Sequence, residues 1–179
     1  MTEETDILIK QARIYNEKAL AQLTEMFYKK IYTYIYYRVN TIEDAQDLTH
    51  DVFVRMVQGI KKQSGNFASW LYTIAGNVLK DFYRKKSVHN SEQTMNKLRD
   101  ITKSSIDIEN RALDVETVRS ALKVLPNIQQ DIIILKFIAD LSNKGVAKII
   151  KKSEGAVKVL QNRALNKLKL VLEKNYVRK

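Results

Sequence analysis

The stretch Ser142-Asn143-Lys144-Gly145-Val146-Ala147-Lys148-Ile149-Ile150-Lys151-Lys152-Ser153-Glu154-Gly155-Ala156-Val157-Lys158-Val159-Leu160-Gln161-Asn162-Arg163-Ala164 decides how the chain is read. It holds two helical phases back to back. Val146, Ala147, Ile149 and Ile150 make the apolar side of a short helix that Ser142 can cap, because a serine hydroxyl accepts a first-turn backbone N–H. Ser153 can cap a second, longer helix whose Val157, Leu160, Ala164, Leu168 and Leu172 recur at three- and four-residue spacing. A short helix, a tight turn and a longer basic helix is the helix-turn-helix arrangement. Ala147 is small where the two helices must approach, and Val157 is apolar where the second meets the core. Glu154, Lys158, Gln161, Asn162 and Lys167 then face outward. The early ones can reach base edges in a major groove, and lysines and arginines can hold phosphates that set register. A plain helical hairpin with a basic face shares this spacing, so the pattern alone leaves both readings open.

Working outward, helical periodicity continues on the N-terminal side. Leu113, Val118, Leu122 and Leu125 predict a helix that Pro126 stops, and Asn127 is placed to cap another carrying Ile128, Ile132, Leu135 and Ile138. A separate periodic block runs from about Ile7 to Lys86. In it Leu20, Leu23, Phe27, Ile31, Tyr34 and Ile35 form one stripe. Thr41 caps the next helix, with Asp44 as an acidic variant of a capping box, and Ala45, Leu48, Val52, Phe53 and Met56 lie on one side. Residues 59–66 interrupt the pattern, and Phe67, Trp70, Leu71, Ile74, Ala75, Val78, Leu79 and Phe82 resume it. Between the blocks, Ser87 to Asn110 is polar and weakly periodic, longer than an ordinary connection in a compact domain. The expected fold is all-α: two small helical domains, 1–87 and 111–179, on a flexible linker, 88–110.

Composition agrees and excludes whole classes. One proline and five glycines in 179 residues, with 45% apolar residues, suit helices around a real core. There is no cysteine, hence no disulfide and no thiolate metal site. Met1-Thr2-Glu3-Glu4 carries no basic signal-peptide region, and no run of about 18 apolar residues occurs, so a cytoplasmic chain without membrane insertion is expected. The net charge of +11 is uneven. Residues 1–86 hold 13 basic and 10 acidic side chains (+3), 87–115 hold 4 and 5 (−1), and 116–179 hold 14 and 5 (+9). The basic C-terminal part suits a polyanion such as nucleic acid, though lysine also solubilises helix faces. The only histidines, His50 and His89, lack metal-ligand neighbours, and no phosphate-cradling glycine loop or catalytic constellation is present. No enzyme, metal, cofactor or small-molecule substrate is expected.

Three segments in register resemble the extracytoplasmic-function (ECF, group 4) branch of the sigma-70 family. Asp44-Ala45-Gln46-Asp47-Leu48-Thr49-His50-Asp51-Val52-Phe53 is similar to region 2.2, and Trp70-Leu71-Tyr72-Thr73-Ile74-Ala75-Gly76-Asn77-Val78-Leu79-Lys80-Asp81 to regions 2.3 and 2.4. Leu125-Pro126, Leu141-Ser142 and Gly155 to Leu165 resemble region 4. The resemblance implies a sigma-2 domain that binds the β′ clamp helices of core RNA polymerase and melts the promoter −10 element. It implies a sigma-4 helix-turn-helix domain that binds the β flap and reads the −35 element, and an anti-sigma factor as a further partner.

Residue roles follow from that resemblance. Asp44, Asp47, His50, Asp51, Phe53 and Met56 would meet the polymerase clamp; the three aspartates share a helix face by their spacing. Asn77 would read an extruded −10 base, since an amide both donates and accepts. Tyr72 and Tyr83 would stack on bases, and Lys80, Arg84, Lys85 and Lys86 would follow the strand's phosphates. Ser153, Glu154, Lys158, Gln161, Asn162, Arg163 and Lys167 would contact the −35 duplex. The chain also departs from the family. Gly145 stands where Glu is common and Lys151 where the turn has Gly, each at a cost of about 1 kcal/mol if the backbone is helical or left-handed there. Val159-Leu160 replaces a Ser-Arg pair, and His50 a Gln. The competing readings are a stand-alone helix-turn-helix regulator, which leaves Asp44–Phe53 and Trp70–Asp81 without a role, and a protein-interaction adaptor, which leaves the basic C-terminal part unexplained.

Overall fold

The computed structural model describes residues 3–92 and 111–176, and every element among them is helical. The N-terminal half consists of α1 (Glu3–Ala12), α2 (Glu17–Tyr36), α3 (Ile42–Gly59) and α4 (Phe67–Glu92). The C-terminal half consists of α5 (Arg111–Lys123), α6 (Asn127–Ile133), α7 (Asn143–Ile150) and α8 (Glu154–Tyr176). The expected linker largely lies outside the described residues. Its first part does not: α4 runs on to Glu92, past the expected boundary at 87.

Local chemistry starts several of the helices. The Asn16 side chain accepts from Ala19 N–H at 3.0 Å, Thr41 Oγ1 from Asp44 N–H at 3.1 Å and Asn66 from Ser69 N–H at 2.9 Å, so α2, α3 and α4 each begin on a side-chain cap. Asn127 does not cap α6 as its sequence position suggests. It is the first helical residue, and Pro126 holds the cap position with no side-chain bond. After α6 the chain widens into a π turn at Ile134–Ile138, where Ala139 N–H donates to Ile134 O at 2.9 Å.

In the N-terminal half, α2, α3 and α4 pack in sequence order around Leu23, Ile31, Ile35, Val52, Met56, Ile60, Phe67 and Leu71, all fully buried. Gly59 lets the end of α3 pass close to Trp70: a Cβ there would sit 3.2 Å from the ring, so the indole would have to shift slightly to admit one. The segment after α3, a 3-10 turn at Ile60–Lys62 followed by residues 63–66, is tied to the end of α1. Arg13 donates to Gln63 O at 2.7 Å and to Gln63 Oε1 at 2.8 Å, and Gln63 Nε2 donates to Gly65 O at 2.9 Å. In the C-terminal half, Leu122, Ile132, Leu135, Val146, Val157 and Ala164 make the core. The halves are in contact: α7 lies against α4, and the π turn against α2.

Candidate nucleic-acid interface

The helix-turn-helix forms as its spacing predicts. Ser142 Oγ accepts from Gly145 N–H at 3.1 Å to start α7, and Ser153 Oγ accepts from Ala156 N–H at 3.2 Å to start α8. Lys151 ends α7 at φ 56 and ψ 49, a left-handed residue, and Lys152 N–H closes the turn on Ala147 O at 3.0 Å. Ala147 is buried at the crossing, and Val157 and Ala164 anchor α8 to the core. That fixes the outward face: Glu154, Lys158, Asn162, Arg163 and Lys167 are exposed, and Gln161 is half-buried with its Oε1 unpaired. Ser153 spends its hydroxyl on the cap. Val159 is 52% exposed on this face, an apolar group able to meet a thymine methyl. A Cβ at Gly145 would meet only ordinary contacts, 3.5 Å from Ser142 Oγ and 3.7 Å from Ser69 Oγ of α4, so packing does not explain the glycine.

On α4, Asn77, Lys80, Arg84, Lys85 and Lys86 are exposed. Arg84 pairs with Asp81 at 3.1 Å, and Arg55 joins Asp81 at 3.0 Å to Asp51 at 3.0 Å. The Arg55 hydrogen bond holds the Asp81 carboxyl below the usual carboxylate range. Lys86 lies 5.3 Å over the Phe82 ring. The two aromatics differ from their expected roles. Tyr72 is 1% exposed, edge-on to Tyr34 with centroids 5.5 Å apart, and offers no face to a base. Its hydroxyl has no partner, and burial pushes it well above an ordinary tyrosine. Tyr83 is 39% exposed but donates its hydroxyl to the Arg38 carbonyl.

The acidic face of α3 carries Asp44, Asp47, His50 and Asp51, exposed or half-exposed. Phe53 and Met56 do not belong to it. Phe53 is 7% and Met56 0% exposed, because they continue the Ala45, Thr49 and Val52 side that packs on the core. Sequence reasoning also passed over a row of tyrosines along α2. Tyr28 stacks on Tyr32 at 6.3 Å and on Phe53 at 5.9 Å, and Tyr32 stacks on Tyr36 at 5.9 Å. The four-residue spacing of these tyrosines was the available signal.

A second set of residues joins the halves, and of these the sequence singled out Tyr34 alone, as a core residue. Arg38 of α2's end forms an ion pair with Asp131 of α6 at 3.2 Å and donates to the Gln130 amide oxygen. Tyr34 donates its hydroxyl to the same Asp131 oxygen at 3.2 Å. Arg119 of α5 donates to the Val39 carbonyl and lies 4.5 Å over the Tyr36 ring. Burial raises the Asp131 carboxyl above its usual range, against the pull of Arg38 and the Tyr34 hydrogen bond.

No described helix is long and apolar enough to cross a membrane. Residues 23–88 match the model for sigma-70 region 2 and residues 121–170 that for sigma-70 region 4. The chain is 32% identical over 171 residues to the ECF RNA polymerase sigma factor BldN of Streptomyces coelicolor, covering 92% of this chain and 64% of that protein's length. It is 28% identical to the RNA polymerase sigma factor YlaC of Bacillus subtilis, with 88% of this chain and 91% of that one covered. Among solved structures, CnrH in complex with the cytosolic domain of CnrY superposes with a TM-score of 0.75 at 24% identity, over 94% of this chain and 96% of that one. RpoE of Bartonella quintana, solved with the anti-sigma factor NepR, also reaches 0.75, at 22% identity over 87% of this chain and 98% of that one. With regions 2 and 4 matched in order over more than half of its residues, the chain belongs to the sigma-70 family and to that family's extracytoplasmic-function branch.

Proposed function

We propose that this chain directs core RNA polymerase to specific promoters and starts transcription there, with a sigma-2 domain at residues 1–87 and a sigma-4 domain at 111–179. One observation carries the reading: a single chain presents both an exposed amide and cations on α4 and an outward, cation-bearing helix α8 behind a helix-turn-helix turn. The first suits a single strand with an extruded base, and the second suits a duplex groove. In sigma-2, Asn77 captures the −10 base while Lys80, Arg84, Lys85 and Lys86 hold the strand. In sigma-4, Lys158, Arg163 and Lys167 hold −35 phosphates, and Glu154, Asn162 and Val159 face base edges. The acidic face Asp44, Asp47, His50 and Asp51 docks on the β′ clamp helices, and sigma-4 on the β flap. The factor itself performs no bond chemistry.

A stand-alone helix-turn-helix regulator is not favoured, because the matched region 2 would have no use. An anti-sigma factor is a further proposed partner, supported by the neighbour solved with NepR. Run-off transcription with purified core tests the proposal. A specific start on a fragment of the source genome is expected; no start on any fragment, together with no binding to core, overturns it.

A further inference from the structure

We propose that α8 reads a thymine and an adenine of neighbouring base pairs through an uncharged row of its own, Gly155, Val159 and Asn162. The Val159 methyls meet the thymine methyl, the Asn162 amide pairs with the adenine edge, and Gly155 lets the helix sit deep enough for both. The inference deepens the sigma-factor reading and rests on it for the place of these bases, the promoter −35 element.

The phase of α8 places the row. Its inner side is set by Val157 and Ala164, both buried, with Leu160, Gln161 and Leu168 half-buried beside them. At about 3.6 residues per turn, the opposite side carries Gly155, Val159, Asn162 and Asn166, and all four are exposed. Between residues 155 and 166 no charge falls on this row. The cations lie beside it: Lys158 and Lys169 along one flank, Arg163 and Lys167 along the other, all exposed. A duplex has the same layout, with base edges on the floor of the major groove and a line of phosphates on either wall. A helix merely kept soluble has no reason to sort its charges in this way.

Two residues of the row do nothing for the fold itself. Glycine weakens a helix, yet nothing around Gly155 asks for one: a Cβ there would meet nothing within 4 Å. Val159 is β-branched and 52% exposed, an apolar side chain left in water. Both make sense against a groove. The missing Cβ lets the first turn of α8 approach the base edges closely. The valine methyls then meet the thymine methyl, the apolar group on the groove floor. The Asn162 amide donates to adenine N7 and accepts from the N6 amino group, a pattern that no other base offers in the major groove. Three residues advance about 4.5 Å along a helix, close to the roughly 3.4 Å between base pairs, so Val159 and Asn162 reach neighbouring pairs.

Row and flanks differ in what their loss does. A missing flank cation weakens every duplex alike, whereas a missing row group changes which sequence is preferred. Single-atom changes in the DNA separate the two. Uracil in place of thymine removes one methyl and keeps the pairing, and about fourfold in affinity is lost where the valine covers that methyl. 7-Deazaadenine in place of adenine removes the N7 acceptor, and about fivefold or more is lost where the amide binds.

Core polymerase loaded with the full chain is used to select promoter fragments randomised across the upstream element. The selected fragments should share a thymine and an adenine in neighbouring pairs. Uracil placed at each thymine in turn should reveal one position that costs the parent about fourfold and Val159→Ala less than about twofold. Asn162→Ala should lose both the adenine preference and the 7-deazaadenine effect at the adjoining position. Gly155→Ala should show effects of opposite sign, a higher urea midpoint with several-fold weaker binding to the selected element, which a purely structural glycine would not give. The proposal is overturned by selected fragments without such a pair, by a parent indifferent to uracil at every position, or by a Val159→Ala protein as sensitive to uracil as the parent. A Gly155→Ala protein that binds as tightly as the parent overturns it too. If the loaded core starts no transcript and enriches no fragment, the sigma-factor reading fails instead. The same selection and uracil scan with the full chain alone then decide the row, by the same outcomes.

Discussion

Replacing Lys151 by glycine should stabilise the protein, although glycine normally weakens helical chains. Lys151 sits at φ 56 and ψ 49 between α7 and α8, where an L side chain presses its Cβ on the following carbonyl. That strain is worth about 1–2 kcal/mol, and glycine is free of it. Against this, glycine loses more backbone freedom on folding, about 0.5–1 kcal/mol. The net gain expected is about 0.5–1 kcal/mol. No contact is lost to obscure it: Lys151 is exposed, and the turn-closing bond from Lys152 N–H to Ala147 O is made by backbone alone. For a chain of this size such a gain raises the melting temperature by about 1–4 °C. Urea unfolding of the full chain, followed at 222 nm, should show a higher midpoint with an unchanged slope. Lys151→Asn should fall between lysine and glycine, since asparagine tolerates the left-handed region, and Lys151→Val should fall below lysine. A glycine variant no more stable than the parent, or the order asparagine above glycine, would refute the strain argument. Either result would mean that the turn is held by something other than its backbone conformation.

Other expectations concern the interfaces and the buried tyrosines. Lys158→Ala should weaken −35 duplex binding across sequences and reduce the magnitude of the salt slope by about 1, as one lost phosphate contact does; an unchanged slope in a salt titration removes that contact. Asn77→Ala should reduce open-complex formation at least tenfold while leaving duplex affinity within about twofold, and equal losses in both assays would argue against base capture. Tyr72→Phe should be neutral or stabilising by about 1 kcal/mol at neutral pH, because the lost hydroxyl is buried without a partner; clear destabilisation in urea would show that the hydroxyl is bonded. Burial raises Tyr34 well above an ordinary tyrosine, and Tyr72 as well. Their unfolded forms ionise near pH 10, so the stability they contribute is fully present below about pH 10 and is lost as pH rises from there towards the folded values. The urea midpoint should hold to about pH 9 and then fall, less steeply in Tyr34→Phe and Tyr72→Phe, and parallel falls in parent and variants would contradict it.

What could be read from sequence follows the range of the interactions involved. Helix starts at Thr41, Ser142 and Ser153 were legible because a cap acts over three residues. The outward face of α8 was legible because Val157 and Ala164 fix its phase. Phe53 and Met56 share the buried side with Thr49 and Val52, as their spacing indicated, and it was the resemblance that set them among the clamp contacts. Tyr72 was misplaced in the same way. Its spacing to Ala75 and Leu79 already set it on the buried side of α4, where it meets the Tyr34 ring, and the resemblance overrode that local signal. Arg38, Arg119 and Asp131 looked like ordinary surface charges, since nothing in their neighbours announces burial. The continuation of α4 to Glu92 was missed because polar composition was taken as the end of a helix.

The tie between Arg13 and Gln63 carries a dependence of its own. Region 2 is matched from residue 23 onward, so Arg13 lies outside the matched part, while the loop it grips leads directly into the helix bearing Asn77. The leading residues thus tie down the approach to a proposed contact residue more than 60 positions away. A version trimmed to the matched boundaries would keep every proposed contact residue and still position Asn77 less firmly, so its defect would register in strand opening before it registered in any binding assay.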